Sequence, residues 1–193
     1  MKKFLFLASM PVIALCIFSF TKKEDTLKTR LEQLAGTYAD AKPYAYGNAW
    51  GKRVFTFDKG KWTLNFTLSL DPEMKMPVFR FRTLGKYQLE KRSALVPNTY
   101  EAVFFEEKKF LTVLAEDPSL IKAFGFDACQ LTPKIEKDIS ETGCLAWKPV
   151  ATCPGDYDLL SLDKEGMLYF GERPTDNDMC SPDKRPTKLT PPV

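Results

Sequence analysis

The sequence contains no histidine among its 193 residues. This absence excludes a Ser-His or Cys-His nucleophile and any metal site built from imidazole ligands. Paired carboxylates, for example Glu106 with Glu107 or Glu116 with Asp117, are the only broad acid–base option that is left. Adjacent acids on a surface are far more often solvated charges. We therefore expect a protein without catalytic activity, metal or cofactor.

The chain also has little net charge and no Cys-x-x-Cys motif. Its formal charge is +3, and loss of Lys2 and Lys3 with an N-terminal signal would lower it by two. The remaining charges are interspersed, so no nucleic-acid surface is expected. Internal repeats, low-complexity tracts and interior linkers are absent, while 44% hydrophobic and 13% aromatic residues suffice for a sizeable core. One domain, residues 22–180, is the economical interpretation.

The long apolar run of the sequence lies at the N-terminus. A basic start precedes an apolar stretch at residues 4–20, which is typical of an export signal covering residues 1–21. Because residues 19–21 form a poor cleavage site, an uncleaved membrane anchor stays open. Cys16 raises the alternative of a membrane-anchored lipoprotein, but its flanking residues are large and apolar, so we favour a discarded signal. We expect a periplasmic or secreted protein that meets a membrane only through this segment, if it is retained.

Four cysteines follow the signal: Cys129, Cys144, Cys153 and Cys180. An even number of cysteines in an exported chain predicts two disulfides, for which three connectivities exist. We favour Cys129 with Cys144 and Cys153 with Cys180, because each pair closes a local unit. The spacings differ from those of paired zinc ligands.

Alternation of apolar and polar residues predicts antiparallel strands. Residues 61–70 alternate without a fault, with one apolar face and one polar face. The apolar face consists of Trp62, Leu64, Phe66, Leu68 and Leu70. A second apolar face holds Phe79, Phe81, Tyr87 and Leu89, and Gly85 marks a coil or bulge in it. Because one face of each strand is polar and solvent-exposed, an antiparallel sheet is favoured over a parallel one, which is buried on both faces.

About eight strands can be assigned along the chain. They cover residues 36–41, 53–58, 61–71, 78–90, 99–105 and 110–115 and the two arms of a hairpin at 157–162 and 167–171. An up-and-down barrel of these strands removes the exposed edges that an open sheet would leave, and a two-sheet sandwich is the alternative.

Two short helices and a tail complete the prediction. Leu27, Leu31 and Leu34 are spaced as on one face of an amphipathic helix that leads into the barrel. Asp117 and the proline after it are typical of a helix start, so a short helix is expected to end at Phe124, although residues 110–124 could also be mostly helix. Residues 181–193 contain four prolines and no apolar periodicity, which indicates a disordered tail.

The order of these motifs carries a family resemblance. Gly36-x-Tyr38 stands at the first strand, Cys153 precedes the final hairpin, and Leu-Tyr-Phe-Gly-Glu-Arg-Pro at residues 168–174 ends it. The pattern resembles lipocalin-like β-barrels, in particular bacterial relatives of the adenomatosis polyposis coli down-regulated domain. The resemblance implies that Gly36 and Tyr38 shape the first strand and that Arg173 packs over Tyr38. It also implies an apolar or acyl ligand inside the barrel.

We therefore expect a monomeric, non-catalytic binding protein that encloses a hydrophobic small molecule or an acyl chain. The inward-facing residues expected to contact this ligand are Trp62, Leu64, Phe66, Phe79, Phe81, Tyr87 and Phe104. Eight strands leave an interior that side chains just fill or that holds one small ligand. A barrel filled by its own side chains is therefore an equally weighted alternative.

The alternative function is an envelope structural or protein-interaction module with a filled barrel. In that case Tyr44, Tyr46 and Trp50, predicted to lie in a loop after the first strand, would form an outward aromatic patch. The same three residues could instead pack as a lid across a barrel mouth.

Overall fold

The computed structural model of the protein describes residues 26–193, which form a nearly closed antiparallel β-barrel. The helices and strands are α1 (Thr26–Glu32), β1 (Gly36–Ala39), β2 (Tyr44–Tyr46), β3 (Ala49–Asp58), β4 (Lys61–Ser69), β5 (Pro77–Arg92), β6 (Tyr100–Val113), α2 (Pro118–Ala123), β7 (Lys137–Asp138), β8 (Gly155–Leu162) and β9 (Leu168–Phe170), with short 3-10 helices at Phe126–Cys129 and Pro182–Lys184. The predicted mostly β fold with two short helices is confirmed. The predicted export signal and Cys16 lie outside the described residues.

Within residues 26–193, one sheet contains all nine strands. Its order is β1, β3, β4, β5, β6, β8 and β9, with β2 paired to β3 and β7 paired to β6. Each of these pairs is antiparallel. Antiparallel neighbours need only short connections, which suits a chain whose apolar faces alternate with polar ones.

The C-terminal segment, residues 188–193, continues the sheet beyond β9. The backbone amide of Thr190 donates to the carbonyl of Phe170 at 2.9 Å, and the amide of Val193 donates to the carbonyl of Leu168 at 2.9 Å. The side chain of Arg53 in β3 reaches the same segment and donates to the Thr190 hydroxyl at 2.6 Å. The prediction of a disordered tail is wrong, because this segment gains backbone hydrogen bonds at the β9 edge and buries the Val193 side chain.

The apolar face of β4 follows the predicted alternation over most of its length. Trp62 and Leu68 are buried on it. The prediction that Leu70 continues this face is wrong, because the register shifts between Leu68 and Ser69 and Ser69 becomes buried. Leu70 lies in the turn that follows and is exposed.

β5 and β6 form a long hairpin of 16 and 14 residues. β6 is continuous, so the predicted break into two strands around residues 106–109 is wrong. The register of the β5–β6 pairing shifts between Leu84 and Gly85, and both strands continue past this shift. A Cβ atom on Gly85 would lie 2.0 Å from the carbonyl oxygen of Phe105, which explains why a glycine occupies the predicted bulge.

The aromatic segment after β1 is a hairpin rather than a loop. Tyr44–Tyr46 pairs with the start of β3, so Trp50 lies within a strand. Tyr44 and Tyr46 are partly buried, and the ring of Tyr46 packs 5.3 Å from that of Phe66. The prediction of a loop is therefore wrong, and of the two alternatives for these tyrosines the structure favours inward packing over an outward patch.

In the connection after β6, α2 covers only Pro118–Ala123, and β6 itself extends to Val113. The alternative of a mostly helical stretch at residues 110–124 is therefore also wrong. Asp117 caps α2 as predicted, since its carboxylate accepts a hydrogen bond from the amide of Ser119 at 2.8 Å.

Inward side chains form two cores, one near each end of the barrel. The α1-end core contains Leu31, Leu34, Phe55, Phe57, Trp62, Leu89, Tyr100, Ala102, Phe104, Leu160, Leu168, Phe170 and Val193. The α2-end core contains Leu68, Val78, Phe79, Phe81, Leu111, Val113, Ala115, Phe126, Ile139 and Cys144. α1 covers the first end, where the Tyr87 hydroxyl also donates to the carbonyl of Leu31 at 2.7 Å.

Both predicted disulfides are present, Cys129–Cys144 and Cys153–Cys180. The first fixes the segment that covers the α2-end core. The second ties the start of β8 to the chain beyond β9. Two disulfides indicate an oxidising compartment.

Candidate functional site in the barrel interior

Four of the seven residues predicted to contact a ligand pack at the α1 end. The ring of Phe104 is the centre of this group, with the ring of Trp62 edge-on at 5.0 Å and the ring of Tyr87 stacked at 5.8 Å. Phe170 contacts the same ring at 5.6 Å, and Leu64 packs against the group. The structure thus brings these four predicted residues together.

The other three predicted residues pack at the α2 end. The ring of Phe79 lies 5.9 Å from that of Phe66, and Phe81 stacks on Trp147 at 5.3 Å. Phe126, in the 3-10 helix that follows α2, joins this group with its ring 5.6 Å from that of Phe79. The seven residues therefore divide between two cores instead of lining one pocket.

A small cavity of about 10 Å³ lies beside the α2-end core. Its lining includes Phe81, Trp147 and the Cys153–Cys180 disulfide, together with charged side chains. A volume of this size is about what one water molecule needs.

Charged side chains that line this cavity include Glu106, Lys109, Asp156 and Arg173. Asp158 does not line it but interacts electrostatically with Asp156 and Arg173, and we call these five residues the interior ion cluster. The ammonium group of Lys109 lies 2.5 Å from the Glu106 carboxylate, and both side chains are only 4% exposed. Arg173 contacts Asp156 at 2.5 Å, and one third of its side chain is exposed. Asp158 accepts a hydrogen bond from the amide of Gly171 at 2.9 Å.

Two carboxyl groups of the interior ion cluster have raised pKa values. Burial, and then the negative charge of Asp156, raise the pKa of Glu106 to about 7. Burial also raises the pKa of Asp158 to about 7, although the amides of Leu159 and Gly171 favour its ionised form. Such groups can take up and release protons near neutral pH.

Arg173 does not pack over Tyr38 as the resemblance implied. Its guanidinium donates to Asp156 at 2.7 Å and to the Asn177 side chain at 2.8 Å. Asp156 attracts it because a carboxylate on the inner face of β8 offers charge-assisted hydrogen bonds. Tyr38 instead meets the edge of the Phe57 ring at 5.8 Å, in the α1-end core.

A second buried ion pair joins β3 to the chain before β2. The guanidinium of Arg53 donates to both carboxylate oxygens of Asp40, with its shortest contact at 2.6 Å, and the two side chains are 7% and 3% exposed. The ring of Tyr44 lies 4.6 Å from the Arg53 guanidinium, and burial raises the pKa of Tyr44 to about 12.

The sequence prediction missed these interior charges, although the alternation that identified the aromatic residues contained them. Arg53 shares a strand face with Phe55 and Phe57, and Asp158 shares one with Leu160. The sequence could have indicated them, because these charged residues occupy alternate positions that are otherwise taken by buried apolar side chains.

Trp147 covers the cavity from a tight turn. Its backbone exchanges hydrogen bonds with Cys144 at 2.8 and 2.9 Å, so the disulfide at Cys144 also fixes the indole. Lys109 of the interior ion cluster donates to the carbonyl of Lys148 at 3.0 Å. The covering segment, residues 144–148, is therefore connected directly to the charged groups below it.

A more open cleft of about 340 Å³ lies at the α1 end. Its lining consists of Arg30, Gln33, Leu34, Ala35, Tyr38, Leu162 and Gly166. Apolar side chains form part of the wall, and Arg30 donates to the carbonyl of Asp163 at 2.9 Å.

Comparison with models of known protein families and with curated proteins gives no match for this chain. The family resemblance therefore stays a prediction. Within residues 26–193, no group of three or more His, Cys, Asp or Glu side chains is arranged to hold a metal ion. No helix in that part of the chain is long and apolar enough to span a membrane.

Proposed function

We propose that the protein is an exported, non-catalytic protein-interaction module whose barrel is a filled scaffold. The observation that carries this proposal is the packing of the interior, where Trp62 and Tyr87 both contact Phe104 and Phe81 stacks on Trp147. The cavity beside the interior ion cluster has room for about one water molecule. The two disulfides support export to an oxidising compartment.

The α2 end offers the surface for a partner. Leu70, Met76, Ile135 and Leu145 are exposed there on connecting segments. Leu70 and Met76 belong to the turn that joins β4 to β5. Leu145 belongs to the covering segment and lies beside Gly125. Apolar side chains exposed at the same end of the barrel favour contact with another protein.

Site-specific photocrosslinking tests this function. A photoreactive amino acid replaces Leu145 in the full chain, and the protein is irradiated in the envelope fraction of cells that produce it. Leu95 is the matched control, because it is also an exposed leucine but lies in the turn between β5 and β6. We expect one discrete crosslinked protein from position 145 and none from position 95. Equal labelling from both positions, or none from either, would contradict the proposal.

The α1-end cleft supports a second candidate, binding of an apolar or acyl ligand at the barrel mouth. Its volume of about 340 Å³ lies at the lower end of the range for small-molecule sites. Leu34, Tyr38 and Leu162 would contact the acyl chain, and the Arg30 guanidinium would face an anionic head group.

A fatty-acid titration separates the two candidates. Ala35→Trp places a bulky ring in the cleft, and Ala123→Trp in α2 is the control at the other end, since both alanines are exposed. Saturable binding to the wild type and to Ala123→Trp, with loss of binding in Ala35→Trp, would support the cleft. Absence of binding to all three proteins leaves only the interaction module.

A further inference from the structure

The interior ion cluster has unequal numbers of acidic and basic groups. It contains three carboxylates, Glu106, Asp156 and Asp158, but only two cations, Lys109 and Arg173. Lys109 contacts Glu106 and Arg173 contacts Asp156, each at 2.5 Å. Asp158 receives hydrogen bonds from two backbone amides, and the residue is only 8% exposed. Full ionisation would therefore leave one excess negative charge inside the barrel.

The groups around the cluster do not cancel this excess. On the β3 side, Arg53 is already neutralised by Asp40 at 2.6 Å. The phenol of Tyr44 is uncharged at neutral pH, and burial raises its pKa further, to about 12. Tyr46 is the second phenol near Arg173.

The remaining neighbours are neutral or already paired. Arg185 donates to the backbone carbonyl of Asp158, but its guanidinium pairs with Glu90 at 2.5 Å. In the covering segment, the ammonium group of Lys148 pairs with Asp178 at 3.1 Å. β5 contributes the uncharged Phe81 to the cavity lining.

An unpaired carboxylate in such a place is costly in its ionised form. Transfer of a charge from water to a protein interior costs several kcal/mol unless another charge compensates it, and the group binds a proton instead. We propose that the interior ion cluster binds and releases protons between pH 5 and 8, which makes the barrel a pH-responsive element that is most stable on the acidic side.

The direction follows from linkage. Glu106 and Asp158 both have pKa values near 7 in the folded protein, above their values in an unfolded chain. Their stabilising contribution is complete below the unfolded-state pKa, near 4, and is lost as the pH rises through 7. The sequence contains no histidine, so the usual source of pH dependence in this range is absent.

The change in protonation should also affect the covering segment. Lys109 holds Glu106 and at the same time donates to the carbonyls of Lys148 and Cys153, at 3.0 and 3.4 Å. A change of charge on Glu106 therefore acts on the segment that carries Trp147. We expect the amide of Trp147 to exchange faster at pH 8 than at pH 5, relative to the amides of β5.

The experiment measures the thermal unfolding midpoint from pH 5 to 8 for the full chain and three variants. Glu106→Gln and Asp158→Asn remove one titrating group each. Glu107→Gln is the matched control, because Glu107 is the exposed neighbour of Glu106. We expect a midpoint that falls by several degrees in the wild type and in Glu107→Gln, and a flatter profile in the other two. The chain's α-amino group titrates equally in all four proteins.

Carbon-13 NMR of the side-chain carboxyl groups in the wild type tests the same point without a variant that could fail to fold. Two carboxyl signals that titrate near pH 7 would support the proposal. Titration of every carboxyl group below pH 5, or a Glu106→Gln profile as steep as that of Glu107→Gln, would overturn it.

Discussion

Charged residues enter this barrel on strand faces that otherwise carry aromatic and aliphatic side chains. Arg53 is the clearest case, since it lies in register with Phe55 and Phe57 and is almost fully buried. Its charge is compensated by Asp40, and its remaining donors reach the C-terminal segment. One side chain thus links β3, the chain after β1 and the last residues described.

Replacement of Arg53 by Met should destabilise the protein strongly, because Asp40 would be left buried without a partner. Breaking a buried ion pair from one side costs about 3–5 kcal/mol. Urea denaturation of Arg53→Met measures this loss. Arg80→Met is the control, because Arg80 is exposed on β5. A loss no larger than that of the control would contradict the structural importance of this pair.

At the scale of elements, prediction succeeded where a pattern was local and failed where pairing partners decided the outcome. The alternation in β4 and the capping residue Asp117 depend on nearby residues, and the structure agrees with both. The C-terminal segment has no periodicity of its own, so its order comes from the open edge of β9. β6 looked interrupted in sequence because the Glu106–Lys109 charges fall inside the barrel.

Hydrogen exchange tests the order of the C-terminal segment. The amides of Thr190 and Val193 donate to carbonyls of β9, so we expect them to be protected to an extent comparable with the amide of Leu168. Exchange at the rate of an unfolded peptide at both positions would show that the segment is not paired in solution.

The Cys129–Cys144 disulfide should stabilise the covering segment more than the barrel strands. Replacing both cysteines by Ser opens a loop of 15 residues, which is worth about 3 kcal/mol in the chain-entropy model. We expect faster exchange of the Trp147 amide while the amides of β5 and β6 stay protected. The Cys153→Ser, Cys180→Ser protein is the comparison, because that disulfide joins β8 itself to the chain beyond β9. Equal loss of protection in the covering segment and the strands would contradict this assignment.

For the whole molecule, the fold class and both disulfides could be predicted from the sequence. Whether side chains fill the interior or leave room for a ligand could not. The identity of the inward aromatics followed from alternation, whereas whether they enclose a ligand depends on their mutual distances. Those distances, such as 5.0 Å between the rings of Trp62 and Phe104, arise from strand register and barrel closure. The interior charges likewise required knowledge of which strands face one another.

Xenon binding, followed by NMR, tests directly whether the barrel is filled. Phe104 is 2% exposed and contacts Trp62, Tyr87 and Phe170. Phe104→Ala should therefore leave an apolar cavity and cost about 3–5 kcal/mol in a denaturant titration. Apolar cavities of this kind stay dry and take up xenon. We expect xenon to bind inside Phe104→Ala and not inside the wild type, whereas equal interior binding to both proteins would contradict a filled barrel.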